Sequence, residues 1–328
     1  MSKNLFAFVT FGLPEFTKLA VESIRETVKN DYDIFAILGK PGDVWTLDYL
    51  NREGIAHKVH LENMGFPASV NDIYDYAWKV EEAYKRYCLI EFNMSNCSLF
   101  REHDYGSFDR YTFEEFKNLP QLVKQFTFDN LILLGNDVIL YPYAGDSLIN
   151  LANNSDYSII SALQYDVRDL IKDFPEIKQH FQGENCVITD FSAKPWNKFI
   201  EYSQDTNLAD MQLYDIQNLC LYKRETFDKI GYLDVNFFPA YFVDNDYARR
   251  ITLNNIKCCS LKNARFFHFW SRVFKQGSGG STDYYFECNR RYYFNKWGGL
   301  VDQETKVPEL GIFSREHELK TIRKWRIK

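Results

Sequence analysis

The sequence predicts an α/β layer fold, with a mostly parallel mixed central sheet flanked by helices. Three observations carry this. Short apolar runs alternate with stretches whose apolar residues recur every three to four positions. The runs are apolar at successive positions, as strands covered on both faces must be. Several of them stop abruptly in short polar stretches, "TFG", "GKPGD" and "GND". In open α/β sheets, ligands bind beyond the carboxyl ends of the strands.

The elements follow in order. "LFAFVTF" reads as a buried strand, and a helix starts at Pro14 with Phe16, Ala20, Ile24 and Val28 along one stripe. "DIFAILG" is a second strand, closed by the turn cluster "KPGD", and "HKVHLENMG" a third. Residues 71–84 place Ile73, Tyr76, Ala77, Val80 and Tyr84 on one helical face. Residues 86–128 are polar, aromatic and irregular, and read as an insertion. "NLILLGNDVIL" is the strongest strand signal, and "DYSIISAL" follows as another. "NLCLYKRETFDKIGYLD" reads as a strand and a short helix ending at Gly231. "FVDNDYARRITLNN" is a helix with acids at its start, and "CCSLKNARFFHFW" a strand. "KQGSGGSTDYY" reads as a mobile lid or hinge before a closing helix, "FECNRRYYFNKW". Residues 1–300 form one unit on this reading, and 301–328 a basic helical tail.

Composition bounds the function. Of 328 residues, 45% are hydrophobic, enough for a sizeable core. The aromatic share is high at 17%, with 22 Tyr and 28 Phe. Most of these belong to a core, and others can line sites for sugars, bases or peptides. The net charge of -6 is opposite to that of a non-specific nucleic-acid binder. The basic tail "REHELKTIRKWRIK" suits either solvent or peripheral contact with an anionic membrane. No segment reaches the length of a membrane span. Seven cysteines, an odd number without C-x-x-C spacing, read as reduced thiols of a cytoplasmic protein.

Few residues stand out as chemistry. Asp137 lies at the tip of a buried strand, where a carboxylate meets a ligand crevice and can hold a hard divalent cation. A plain turn aspartate is the alternative. His268 lies in an aromatic strand, as a metal ligand or a satisfied core residue. Asp244 and Asp246 stand between a wall of aromatics and two arginines. At a helix start, one acid can cap and the other can act as a general base.

Taken in order, these pieces resemble the family-2 type of glycosyltransferase, with the GT-A nucleotide-diphospho-sugar transferase fold. "FVTFGLPEFTKLAVESI" resembles the opening strand and helix of that family. "ENMGFPASVNDIYDYA" resembles its N-x-G and following Asn and Ala, here Asn63, Gly65, Asn71 and Ala77. "LILLGNDVIL" resembles the D-x-D strand. "LYKRETFDKIGYLDVNFFPAYFVDNDYARRI" resembles the stretch with Arg-x-x-aromatic, Ile-Gly-x-x-Asp and Glu-Asp-x-Asp. "FFHFWS" and "YYFNKWG" resemble the strand with a metal-binding His and a C-terminal Lys-Trp-Gly.

The resemblance implies a sugar transfer from a nucleotide-sugar donor to an acceptor hydroxyl, with inversion. Asp137 and His268 would hold Mn or Mg on the donor diphosphate. Asp244 would be the catalytic base, with Asp246 in support. Thr10, Phe11, Gly12, Asp43, Asn71, Asn136 and Arg249 would serve the donor. Three positions depart from the pattern. Gly39 and Lys40 stand where an Asp reads the nucleotide base, and Asp43 is the nearest acid. Gly135 replaces the first acid of D-x-D, and Val243 the usual Glu. The acceptor implied is a glycan or glycolipid. Hydroxymethylated bases of DNA are an alternative acceptor, and a non-catalytic sugar- or nucleotide-binding relative is another reading. A nicotinamide enzyme is set aside, because no G-x-G-x-x-G follows the first strand.

Overall fold

The computed structural model describes residues 2–78, 128–165, 181–182, 187–188, 208–209, 218–269 and 282–307. The insertion up to residue 127, the Gly/Ser-rich stretch up to residue 281 and the tail beyond residue 307 lie outside the described residues.

The strands are β1 (Asn4–Thr10), β2 (Tyr32–Leu38), β3 (Ala56–Val59), β4 (Asn130–Gly135), β5 (Val138–Leu140), β6 (Ile159–Tyr165), β7 (Phe181–Gln182), β8 (Val187–Ile188), β9 (Leu208–Ala209), β10 (Leu219–Lys223) and β11 (Cys258–His268). The helices are α1 (Pro14–Thr27), α2 (Val44–Arg52), α3 (Phe66–Trp78), α4 (Ala144–Asn154), α5 (Arg224–Ile230), α6 (Val243–Leu253) and α7 (Thr282–Trp297).

Nine strands form the main sheet in the order β3-β2-β1-β4-β10-β6-β11-β5, with β9 also on β11. Strands β1 to β4 run parallel, β10 runs against them, and β6 and β11 return to their direction. Strands β5 and β9 are antiparallel to β11. The expected mostly parallel mixed sheet is therefore what the chain forms. Strands β7 and β8 pair separately.

The two-residue period explains the layers. In β1, Leu5 and Ala7 face one side with α3, α5, α6 and α7, while Phe6 and Phe8 face α1, α2 and α4. Both sides are dry cores, so each central strand is apolar at every position.

Some boundaries differ from expectation. The run "NLILLGNDVIL" is two strands, because Gly135 to Asp137 turn the chain from β4 into β5. The first is central and parallel, the second an edge strand on β11. Helix α3 starts at Phe66, five residues early, since nearly all its residues are buried and amphipathicity does not mark its start. Helix α2 hides behind the "KPGD" turn, with Asp43 as its cap accepting from Thr46 N at 3.1 Å. Helix α4 covers the second face. Helix α7 takes in Tyr284 and Tyr285, which the sequence reading gave to the mobile stretch.

Candidate active site

The carboxyl ends of β1, β2, β4 and β11 share one edge of the sheet. The sequence-predicted residues gather there unevenly. Asp137 follows β4 in the turn to β5, and His268 ends β11. Antiparallel pairing of β5 with β11 sets Val138 opposite His268, and Phe269 N donates to Asp137 O at 3.0 Å. The side chains therefore meet: His268 Nε2 lies 3.2 Å from Asp137 Oδ1. Both are nearly buried, and His268 Nδ1 is buried without a partner. Gly135 leaves room for this arrangement, because a Cβ there would stand 3.0 Å from Asp137 Oδ1. Phe269 packs edge-on against Phe16 at 4.9 Å and against Phe267 at 4.8 Å, behind the histidine.

The pair fits a hard cation. Neighbouring ligands of an ion bound at about 2.0–2.2 Å stand roughly 3 Å apart. Among the described residues no group of three or more His, Cys, Asp or Glu has metal geometry. Two protein ligands suit Mg or Mn, which takes the rest of its shell from phosphates and water. They do not suit a structural zinc.

The opening strand contributes a polar floor. Thr10 and Thr17 hydroxyls meet at 2.9 Å, and Asn136 Nδ2 donates to each at 3.4 Å. Asn136 is thus anchored into the scaffold beside Asp137. Phe11 lies over Gly39, whose added Cβ would stand 3.3 Å from its ring. Gly12 has φ +81, and a Cβ there would lie 3.2 Å from both Cδ and Nζ of Lys40. Lys40 therefore lies across the end of β1. Asp43 is turned toward α2 as its cap.

Asn71 is fully buried. Its amide donates to Leu233 O at 2.9 Å and its Oδ1 accepts from Leu233 N at 2.8 Å. It ties α3 to the loop after α5, as does the bond from the Tyr232 hydroxyl to Asp75.

The two acids of α6 have different surroundings. Asp244 is half-buried in the first turn. Desolvation pushes its carboxyl above the ordinary 3.8, against the pull of the backbone N–H groups of Asn245 and of Asp244 itself. Asp246 is wholly buried and ringed by donors: Arg250 Nε at 3.1 Å, Trp297 Nε1 at 3.0 Å and Lys296 Nζ at 2.5 Å. Lys296 also reaches Asp234 Oδ2 at 2.8 Å, where Tyr292 donates at 2.8 Å. Burial pushes the Asp234 carboxyl up, but Lys296, Asn236 and Tyr292 together hold it below its usual value.

Arg249 lies on the Glu304 side of α6, with its Nε buried and unpartnered. The network of Asp234, Lys296, Trp297 and Arg250 was not assigned a role from sequence. Its signals were present as Ile-Gly-x-x-Asp and Lys-Trp-Gly, but Lys296 and Asp234 are 62 residues apart.

No family model matches the chain, and no curated protein sequence matches it. Among solved structures, the chain is similar to S. aureus TarS 1-349, at 8% identity and a TM-score of 0.45, over 90% of this chain and 72% of that one. It is also similar to GalNAc-T7, solved with UDP, GalNAc and Mn2+, at 10% identity and a TM-score of 0.45. That match covers 82% of this chain and 44% of GalNAc-T7. Likeness at this level leaves function to be argued from the site.

Proposed function

We propose that the chain is a metal-dependent glycosyltransferase of GT-A type that moves a sugar from a nucleotide-sugar donor to an acceptor hydroxyl, with inversion. The observation that carries this is the Asp137–His268 pair, 3.2 Å apart at the strand edge where such sheets take ligands. Asp137 and His268 would hold Mn or Mg, which supplies neutralisation of charge on the departing diphosphate. Asp244 takes the proton of the acceptor hydroxyl as that oxygen bonds to the anomeric carbon. The bond from that carbon to the phosphate oxygen breaks, and the nucleoside diphosphate leaves with its electron pair. A raised carboxyl suits this role, because a more basic carboxylate accepts a proton more readily. Asp246 positions the helix that carries Asp244.

A glycan or glycolipid acceptor suits the net charge of -6 better than DNA does. No helix among the described residues is long and apolar enough to cross a membrane. A cytoplasmic place rests on the seven cysteines, an odd number without C-x-x-C spacing.

The test is a thermal-shift screen of nucleotide sugars with and without Mn. The right donor stabilises by mass action, and only with metal present. If no nucleotide sugar stabilises the protein, the reading fails.

A further inference from the structure

Aromatic rings stand open beside the loop that leads into Asp244. Tyr284, Tyr285 and Phe286 follow one another at the start of α7 and are exposed to 66%, 38% and 40%. A helix that needed only a core stripe would turn at least one of three successive aromatics inward. Tyr285 and Phe286 are tied instead to residues 238–242, and Tyr284 meets Tyr285 edge-on at 5.5 Å. Phe238 meets Tyr285 edge-on at 5.6 Å, Tyr241 meets Phe286 edge-on at 5.5 Å, and Phe242 meets Phe286 at 5.1 Å. Beneath them the buried Asn289 amide donates to Ala240 O, and to Tyr241 O at 3.3 Å.

The loop itself is held in an unusual shape. Tyr241 and Phe242 both have left-handed backbone, with φ 64 and 62. Side chains other than glycine rarely adopt this, and such residues cluster at sites where the surroundings over-determine the chain. Two residues later comes Asp244. The far side of the loop rests on the start of α3, with Phe66 N donating to Pro239 O at 2.6 Å.

We infer that Tyr241, Tyr284, Tyr285 and Phe286 form the acceptor subsite, and that it takes an uncharged pyranose ring laid on their faces. The inference rests on the glycosyltransferase reading and names its acceptor chemistry. A sugar ring offers an apolar C–H face to an aromatic and hydroxyls at its rim, and the tyrosines match both with a ring and a polar tip. A nucleic acid would also stack, but it needs cations along its backbone. Of the two arginines on this turn, Arg290 is paired to Glu287 at 2.8 Å, and the exposed Arg291 is one cation and not a row of them. Continuity with Asp244 sets the acceptor hydroxyl against the base.

The test uses the full chain and the variants Tyr285→Ala, Phe286→Ala and Phe286→Leu. Each is applied to a printed array of neutral mono- and oligosaccharides, to a duplex DNA and to phosphatidylcholine vesicles. The expected result is saccharide binding by the unaltered chain, weakened about tenfold by each alanine. Phe286→Leu keeps the bulk and loses the ring, so it should weaken binding as well. Failure of the unaltered chain to bind any saccharide, binding to DNA or vesicles in its place, or variants that bind saccharide as well as the unaltered chain would each overturn the inference. The nucleotide-sugar shift with Mn should be the same in all variants. Its absence from every protein would sink the transferase reading, while loss of saccharide binding alone leaves that reading standing.

Discussion

The indole Nε1 of Trp297 donates to Oδ1 of Asp246 at 3.0 Å, joining the last residue of α7 to the first turn of α6. Neither residue is exposed, so water cannot replace the bond. Removing one partner leaves a buried carboxylate short of a donor, which costs about 1–3 kcal/mol. Trp297→Phe keeps most of the volume and deletes the N–H. It should lower stability by that amount in urea unfolding. Transfer should fall through displacement of Asp244, with the nucleotide-sugar thermal shift kept.

Asp244 predicts a pH profile. Its carboxyl is raised above 3.8 by desolvation, so it loses its charge at a higher pH than a free aspartate would. Transfer should therefore fall as pH drops through this raised value, and Asp244→Asn should lower it about a thousandfold. Stability runs the opposite way. A carboxyl whose folded value is raised opposes folding when ionised, and this cost is relieved as pH falls through the folded value. Asp244→Asn should be as stable as the unaltered chain near pH 7, or more so. A variant that unfolds at neutral pH, or that transfers sugar at the full rate, would reject the assignment.

How far these features were legible in the sequence depends on their range. The sheet was legible because each central strand is a continuous apolar run, while Asp137, His268 and Asp244 stood out only as acids or an imidazole set in apolar text. Helix α2 was not, since its Val44 and Trp45 are exposed and its apolar stripe is short. Asn71 and Asn136 were read as donor ligands. The structure gives each a scaffold partner, Leu233 for one and Thr10 with Thr17 for the other. Single polar letters do not say whether their partner is a ligand or the chain. The Lys296 network joins groups 51 and 62 residues apart, and only the fold brings them together.

The 3.2 Å approach of Asp137 to His268 predicts a shared metal effect. Asp137→Asn removes the carboxylate of the proposed cation site, and His268→Ala its imidazole. Each should abolish the Mn-dependent part of the nucleotide-sugar thermal shift and lower transfer by about a hundredfold or more. The double variant should be no worse than Asp137→Asn alone, because both act through one ion. Independent, additive losses in transfer would mean that the two side chains do not serve a common site.

Gly65 joins the opening half of the chain to the loop beside Asp244. Its φ is +80, and an added Cβ would stand 2.8 Å from the Phe238 ring and 3.2 Å from Pro239 O. The ring could shift, but Pro239 O is backbone and already accepts from Phe66 N at 2.6 Å. Gly65→Ala thus meets both a left-handed backbone and a close neighbour. It should cost about 2 kcal/mol or more in urea unfolding. The displaced loop carries Tyr241 and leads to Asp244, so transfer should fall further than stability alone explains, even well below the melting temperature. The nucleotide-sugar shift with Mn should survive, because Asp137 lies in the turn from β4 to β5 and His268 ends β11, and neither is on this loop. An alanine variant with unchanged unfolding and transfer would show that the loop yields freely and is not held by Gly65.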